Sequence, residues 1–152
     1  MRRLLVVEDG NEYAEFARLF LGGHFHIVVA QRAADALTCL RSEHVDALLI
    51  DLRFDRAVEA DLVGDVQATA NRLFAGDRAR ALRHVQDQQG VLILAELRAA
   101  GFRQRAIFIH EFLPRRMENL RRLYGPVGAL PTFDCAALLR ALAEEDVGYY
   151  GT

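Results

Sequence analysis

Glu8, Asp9 and Asp51 each stand just past a short apolar run, Leu4-Leu5-Val6-Val7 for the first two and Ala47-Leu48-Leu49-Ile50 for the third. If the runs are neighbouring parallel strands, their carboxyl ends bring three acids into one crevice. Carboxylate oxygens at that density suit Mg²⁺, and an aspartate beside a bound cation suits phosphoryl transfer, in which charge on the moving oxygens must be offset. A usual partner in that chemistry is missing, because all 19 basic residues are arginines and the chain contains no lysine. His110 is one candidate for the missing cation, since an imidazole beside carboxylates holds its proton more tightly. Arg53 is another, with Arg56 close behind it, because a guanidinium grips phosphate in a bidentate manner. Simpler readings stand beside these: Glu8 and Asp9 as a strand end and helix cap, Asp51 and Arg53 as solvated loop residues, and His110 as a hydrogen-bonded, partly buried histidine.

The elements that would position these residues are legible as short apolar runs alternating with helical stripes, the pattern of βα units around a parallel sheet. Leu4 to Val7, Phe25 to Ala30, Val45 to Ile50, Ala106 to Ile109 and Val127 to Leu130 read as five strands. Asn11 to Leu21 reads as a helix burying Ala14, Ala17, Phe20 and Leu21, ended by Gly22 and Gly23. Ala33 to Ser42, Pro114 to Tyr124 and Phe133 to Glu144 read as further helices, the second with proline in its first turn. The expected architecture is α/β, a doubly wound five-stranded parallel sheet of flavodoxin-like order 2-1-3-4-5.

Residues 54–89 interrupt the alternation. The stretch is too long for a strand-to-helix loop and too apolar at helical intervals to be disordered. Leu62, Val66, Ala70 and Leu73 make one stripe, Gly76 breaks it, and Asp77 can cap a second helix with Leu82 and Val85 inside, running on through Gly90 to Ala100. An inserted helical hairpin is expected. Leaving the carboxyl end of the strand that ends at Asp51, it should stand beside or over the acids as a lid, or else enlarge the core or make a dimer interface.

At 152 residues the chain fits a single domain, 1–152, with the insertion inside it. A formal net charge of −2 argues against nonspecific binding to nucleic acid. No run approaches a membrane span and no signal peptide opens the chain, so a cytoplasmic protein is expected. Cys39 and Cys135 match no metal or redox spacing and are expected as buried thiols. Arg115, Arg116, Arg121 and Arg122 make a basic patch on one helix, suited to an acidic partner or to the Glu144-Glu145-Asp146 end of a second copy. Tyr149 and Tyr150 are placed to pack on the domain or on a partner.

Leu4-Leu5-Val6-Val7-Glu8-Asp9 and Val45-Asp46-Ala47-Leu48-Leu49-Ile50-Asp51-Leu52, with Gly90 to Arg98 as a following helix and Pro131-Thr132-Phe133-Asp134 before the last one, resemble the receiver domain of bacterial response regulators over nearly the whole chain outside the insertion. The resemblance implies that Glu8, Asp9 and Asp51 hold Mg²⁺ and that Asp51 accepts a phosphoryl group from a histidine kinase or phosphotransfer protein. It also exposes departures. The family's lysine at the end of the fifth strand is replaced by Leu130, the hydroxyl residue ending the fourth strand by His110, and the aromatic of the fifth strand by nothing in Val127 to Leu130. Two forms of a two-component signalling module stay open, a pseudo-receiver working by protein contact and a phosphorylatable receiver with a substitute cation. On the first form the chain is not an enzyme. A different class, an Mg²⁺-dependent enzyme resembling toprim proteins, is weakened because Arg53 stands where such a site needs a second aspartate.

Overall fold

The computed structural model describes residues 1–143. Its strands are β1 (Arg2–Val7), β2 (Phe25–Ala30), β3 (Ala47–Ile50), β4 (Arg105–Ile109) and β5 (Val127–Leu130). Its helices are α1 (Glu12–Leu21), α2 (Ala33–Ser42), α3 (Val66–Leu73), α4 (Arg78–Asp87), α5 (Gln89–Ala99), α6 (Pro114–Tyr124) and α7 (Cys135–Ala143). All strand pairs are parallel and lie in the order β2-β1-β3-β4-β5, as the alternating pattern predicts. The four residues of β3 are fully buried, which is why this strand has a continuous apolar run rather than an alternating one.

Successive side chains of a strand point to opposite faces, and the core divides accordingly. Leu4, Val6 and Leu49 pack with Ala14, Ala17 and Leu21 of α1 and Leu138 and Leu142 of α7. Leu5, Val7, Leu48 and Ile50 pack with α2, with Ile93, Leu94 and Leu97 of α5, and with Met117 and Leu120 of α6. Register then sets the crevice: Val7 pairs with Ile50, Ile50 with Phe108, and Ile109 with Leu130. Glu8, Asp51, His110 and Pro131 are therefore the residues just past the carboxyl ends of β1, β3, β4 and β5.

Residues 54–89 do form a helical hairpin, α3 and α4, around a small core of Val66, Ala70, Ala81 and Val85. Asp65 caps α3 through the Ala68 N–H (2.9 Å), and Asp77 caps α4 through the Arg80 N–H (3.2 Å). Between the helices Ala75 and Gly76 take φ of 51° and 86°, the left-handed turn for which glycine is suited. Three expectations need correction. Leu73 is 51% exposed and Phe20 53% exposed, each at the edge of its stripe rather than inside it. The second hairpin helix does not run on to Ala100 but breaks at Gln88. Cys39 and Cys135 are only partly buried, their thiols turned to Glu43 and to the Phe20 carbonyl.

The break at Gln88 has a tertiary cause. Gln89 is fully buried, its side-chain oxygen accepting from the Val63 N–H (2.7 Å) and its amide donating to the Val63 carbonyl (3.0 Å). Gly90 donates to the Leu52 carbonyl (2.9 Å), and Phe54 to the Gln86 carbonyl (2.9 Å). The Gly90 bond fastens the end of the insertion to the segment just past the central strand β3, and the others tie the insertion to itself. Residues 55–61 are the stretch between Phe54 and Val63, held by Arg56 on Asp9 and Glu12, by Glu59 on Arg78 and by Asp61 on Arg32. Residues Glu144, Glu145, Asp146, Tyr149 and Tyr150, singled out in the sequence, lie outside the described residues.

Candidate functional site

The Glu8 side chain is 1% exposed and turned inward, its carboxylate accepting from the N–H groups of Tyr13 (3.2 Å) and Ala14 (2.8 Å) in the first turn of α1. It thus caps the helix, and the positive end of the helix dipole holds its charge in place. Asn11, the residue at the cap position, makes no such bond. Asp9 is partly exposed and accepts from the Arg56 N–H at 2.6 Å. The Arg56 guanidinium pairs with Glu12 and lies across Gly10, where an added Cβ would collide with both side chains. Asp51 donates its own N–H to the Val7 carbonyl (2.9 Å), which anchors it beside Glu8.

Electrostatics mark Asp51 as the crowded member. Burial, and then the neighbouring charges of Asp9, Glu8 and Asp55, push its carboxyl up to about 6, although the Arg53 N–H works the other way. Burial also raises Glu8, partly offset by its two helix N–H donors. Tyr13 was not anticipated from the sequence. Its phenol lies against Asp51, and burial followed by the charges of Asp51 and Glu8 raises its pKa. The available signal was helical position: a residue in the first turn after β1 faces the end of the adjacent strand β3.

His110 donates its backbone N–H to the Leu130 carbonyl (2.8 Å) and packs its ring on Phe112, centroids 4.6 Å apart. Its proton affinity is lowered, first by burial and then by Arg53. The expectation that carboxylates would hold its proton more tightly is therefore reversed, chiefly by burial, with the exposed Arg53 adding to it and Glu111 opposing it. Arg32, also unremarked in the sequence, pairs with Asp35 (3.2 Å) and with Asp61 of the insertion (3.3 Å). Asp9, Gln31, Arg32, Arg56, Val58 and Asp61 line a polar cleft of about 390 Å³ beside the acids. Its insertion wall comes from 56–61, so the stretch next to the crevice is this loop.

Among the described residues, no three acidic, histidine or cysteine side chains converge as a ready-made metal site. Glu8 is spent on α1. What remains is Asp9 and Asp51, and Mg²⁺ is commonly held by one or two carboxylates while keeping several waters. The donor chemistry fits such an ion: Asp51 carries an excess of negative surroundings, and Asp9 is partly exposed with one oxygen already serving as an acceptor, for the Arg56 backbone N–H.

No family model matches the chain. Over 68 residues it is 34% identical to a response regulator receiver protein of Anaeromyxobacter sp. (strain Fw109-5), a match that takes in 44% of this chain and 29% of that protein's length. A CheY-like response regulator receiver domain protein from Methanospirillum hungatei superposes with a TM-score of 0.60 at 12% identity, covering 100% of this chain and 99% of that one. The chemotaxis protein CheY4 of Vibrio cholerae superposes with a TM-score of 0.59 at 14% identity, covering 93% and 96%. A Burkholderia pseudomallei response regulator, solved with a phosphorylated aspartic acid, a calcium ion and citrate, gives 0.61 at 12% identity, covering 99% and 72%. With receiver domains matched in structure over almost its whole length, and a receiver protein matched in sequence over part of it, the chain has the CheY-like receiver-domain fold.

Proposed function

We propose that this receiver domain works as a pseudo-receiver, a two-component signalling module that acts by protein contact and not by a phosphorylation switch at Asp51. The observation that carries the reading is the make-up of the β4–β5 end of the crevice. There His110 and Leu130 face the position from which a lysine and a hydroxyl would engage a phosphoryl group, and the proton affinity of His110 is lowered, not raised. Without the lysine at that end, charge on a transferring phosphoryl group lacks its usual offset on one side. A second reading retains Asp51 as phosphoacceptor with Arg53 as substitute cation, and the Arg53 N–H directed at Asp51 favours it. Histidine kinases or phosphotransfer proteins are the partners on that reading.

Glu8 serves the site as field and helix cap, while Asp9 and Asp51 are the residues that would hold Mg²⁺. When bound, the ion supplies the positive charge that relieves Asp51. The contact face is α6, where exposed Leu113 and Leu123 flank Arg115, Arg116, Arg121 and Arg122, a combination suited to an acidic signalling protein or the acidic end of a second copy. No described helix is long and apolar enough to cross a membrane, and a cytoplasmic location fits the role. The toprim-like alternative lacks its second aspartate at Arg53.

Hydrogen exchange with and without Mg²⁺ plus beryllofluoride, a phosphoryl mimic, tests the proposal. The expected result is unchanged protection in β4, β5 and α6. Altered protection confined to those three elements would overturn it.

A further inference from the structure

We infer that residues 55–61 form a strap that locks the acidic crevice, with the Arg56 backbone N–H holding an Asp9 carboxylate oxygen that a divalent cation would take, so that cation binding and strap docking exclude one another. The inference rests on the reading of Asp9 and Asp51 as the cation's holders, and it gives the insertion a role that the receiver fold does not require. Three contacts from one residue make the lock. The Arg56 N–H is bonded to Asp9 Oδ2, its guanidinium is paired with Glu12, and its side chain lies over Gly10. Arg32 holds the far end of the strap through Asp61.

The lock is built to open. Both side chains of the Arg56–Glu12 pair are more than half exposed, as is Val58, and exposed ion pairs hold weakly. Buried Phe54 and the Gln89–Val63 clamp bound the strap on either side, and its ties to α4 are the exposed Arg78–Glu59 pair (2.9 Å) and a long bond from the Gln86 amide to the Ala57 carbonyl (3.4 Å), so lifting it breaks only surface contacts of the hairpin. A cation that takes Asp9 Oδ2 displaces the Arg56 N–H, and a strap so released frees Arg56 from Glu12 and Arg32 from Asp61. Information about the crevice then leaves on the β1–α1 side, away from the dismantled β4–β5 side.

Mn²⁺ binding followed by electron paramagnetic resonance, with hydrogen exchange of 55–61 in the same samples, tests this. Arg56→Ala removes the guanidinium, and Arg56→Pro also removes the N–H. The expected result is tighter Mn²⁺ binding in Arg56→Ala, by about threefold to fivefold, and tighter still in Arg56→Pro. In the wild type, Mn²⁺ should speed exchange in 55–61 while α3 and α4 keep their protection. Equal affinity in wild type and both variants, with strap exchange unmoved by Mn²⁺, would overturn the lock. Absence of Mn²⁺ binding in all three proteins would overturn it as well, while leaving the contact function of α6 untouched.

Discussion

Asp51→Asn is expected to stabilise the metal-free protein by about 2 kcal/mol near neutral pH, and the gain should vanish as the pH falls to about 4. The sign follows from linkage. In the folded protein the Asp51 carboxyl titrates at about 6, against an ordinary value of 3.8, so the folded state binds this proton more tightly than the unfolded chain. Below the unfolded value both states are protonated and burial costs nothing. As the pH rises towards 6 the unfolded chain ionises first and folding loses stability, with the full loss present above 6. Asparagine keeps the shape and can still accept from the Arg53 N–H, but it removes a buried charge set among Asp9, Glu8 and Asp55. Urea unfolding in chelator at several pH values measures the difference. A variant less stable than wild type near neutral pH would contradict the picture of an overcrowded crevice, and Mg²⁺ should narrow the gap by stabilising only the wild type.

Gly90→Ala should have the largest effect of any single methyl addition, a loss of about 3 kcal/mol or more. A Cβ at Gly90 would run into the Asp51 carbonyl oxygen and would lie 2.9 Å from the Leu52 Cα and 3.0 Å from the Asp51 carbonyl carbon. All of these are backbone atoms at the end of a fully buried strand, so no side chain can swing aside. Alanine is the better helix former by about 1 kcal/mol, which is too little to offset the collision. The α5 helix would have to draw back from β3, breaking the Gly90 N–H bond to Leu52 and loosening the neighbouring Gln89 clamp. Gly23→Ala is the control, since an added Cβ there meets nothing within 4 Å. Thermal unfolding of the two variants beside wild type separates the cases, and near-equal melting temperatures would show that the α5–β3 approach is less rigid than these distances require.

The sheet was readable because its signal is local. Continuous apolar runs at β1 and β3 admit few alternatives to buried strands, and the helical stripes between them force the crossovers that make those strands parallel. The hairpin was readable for the same reason, with Asp77 and Gly76 supplying the cap and the break. What escaped was set by contacts distant in sequence. The break at Gln88 comes from Gln89 bonding to Val63, and no glycine or proline at position 88 announces it. That Glu8 caps α1 was one of the two readings the sequence left open; what it could not choose is that Glu8, and not Asp9 or Asn11, does the capping. The exposure of Phe20 and Leu73 depends on where the edge of each helix's buried stripe falls, which periodicity leaves open. Arg56 reaches Asp9 across 47 positions of sequence, and His110 faces Arg53 rather than the acids; neither contact leaves a pattern in the chain.

Intact-mass spectrometry after incubation with Mg²⁺ and a small-molecule phosphodonor, under conditions that preserve an acyl phosphate, bears most directly on the pseudo-receiver reading. Asp51→Asn is carried alongside, as is a phosphorylatable receiver domain to show that the donor is active. The expected result is an unmodified mass for the wild type and for Asp51→Asn, with the control receiver labelled. A single phosphoryl adduct on the wild type, absent from Asp51→Asn, would contradict the reading and make Asp51 an acceptor whose missing lysine is replaced by another cation, with Arg53 the first to substitute.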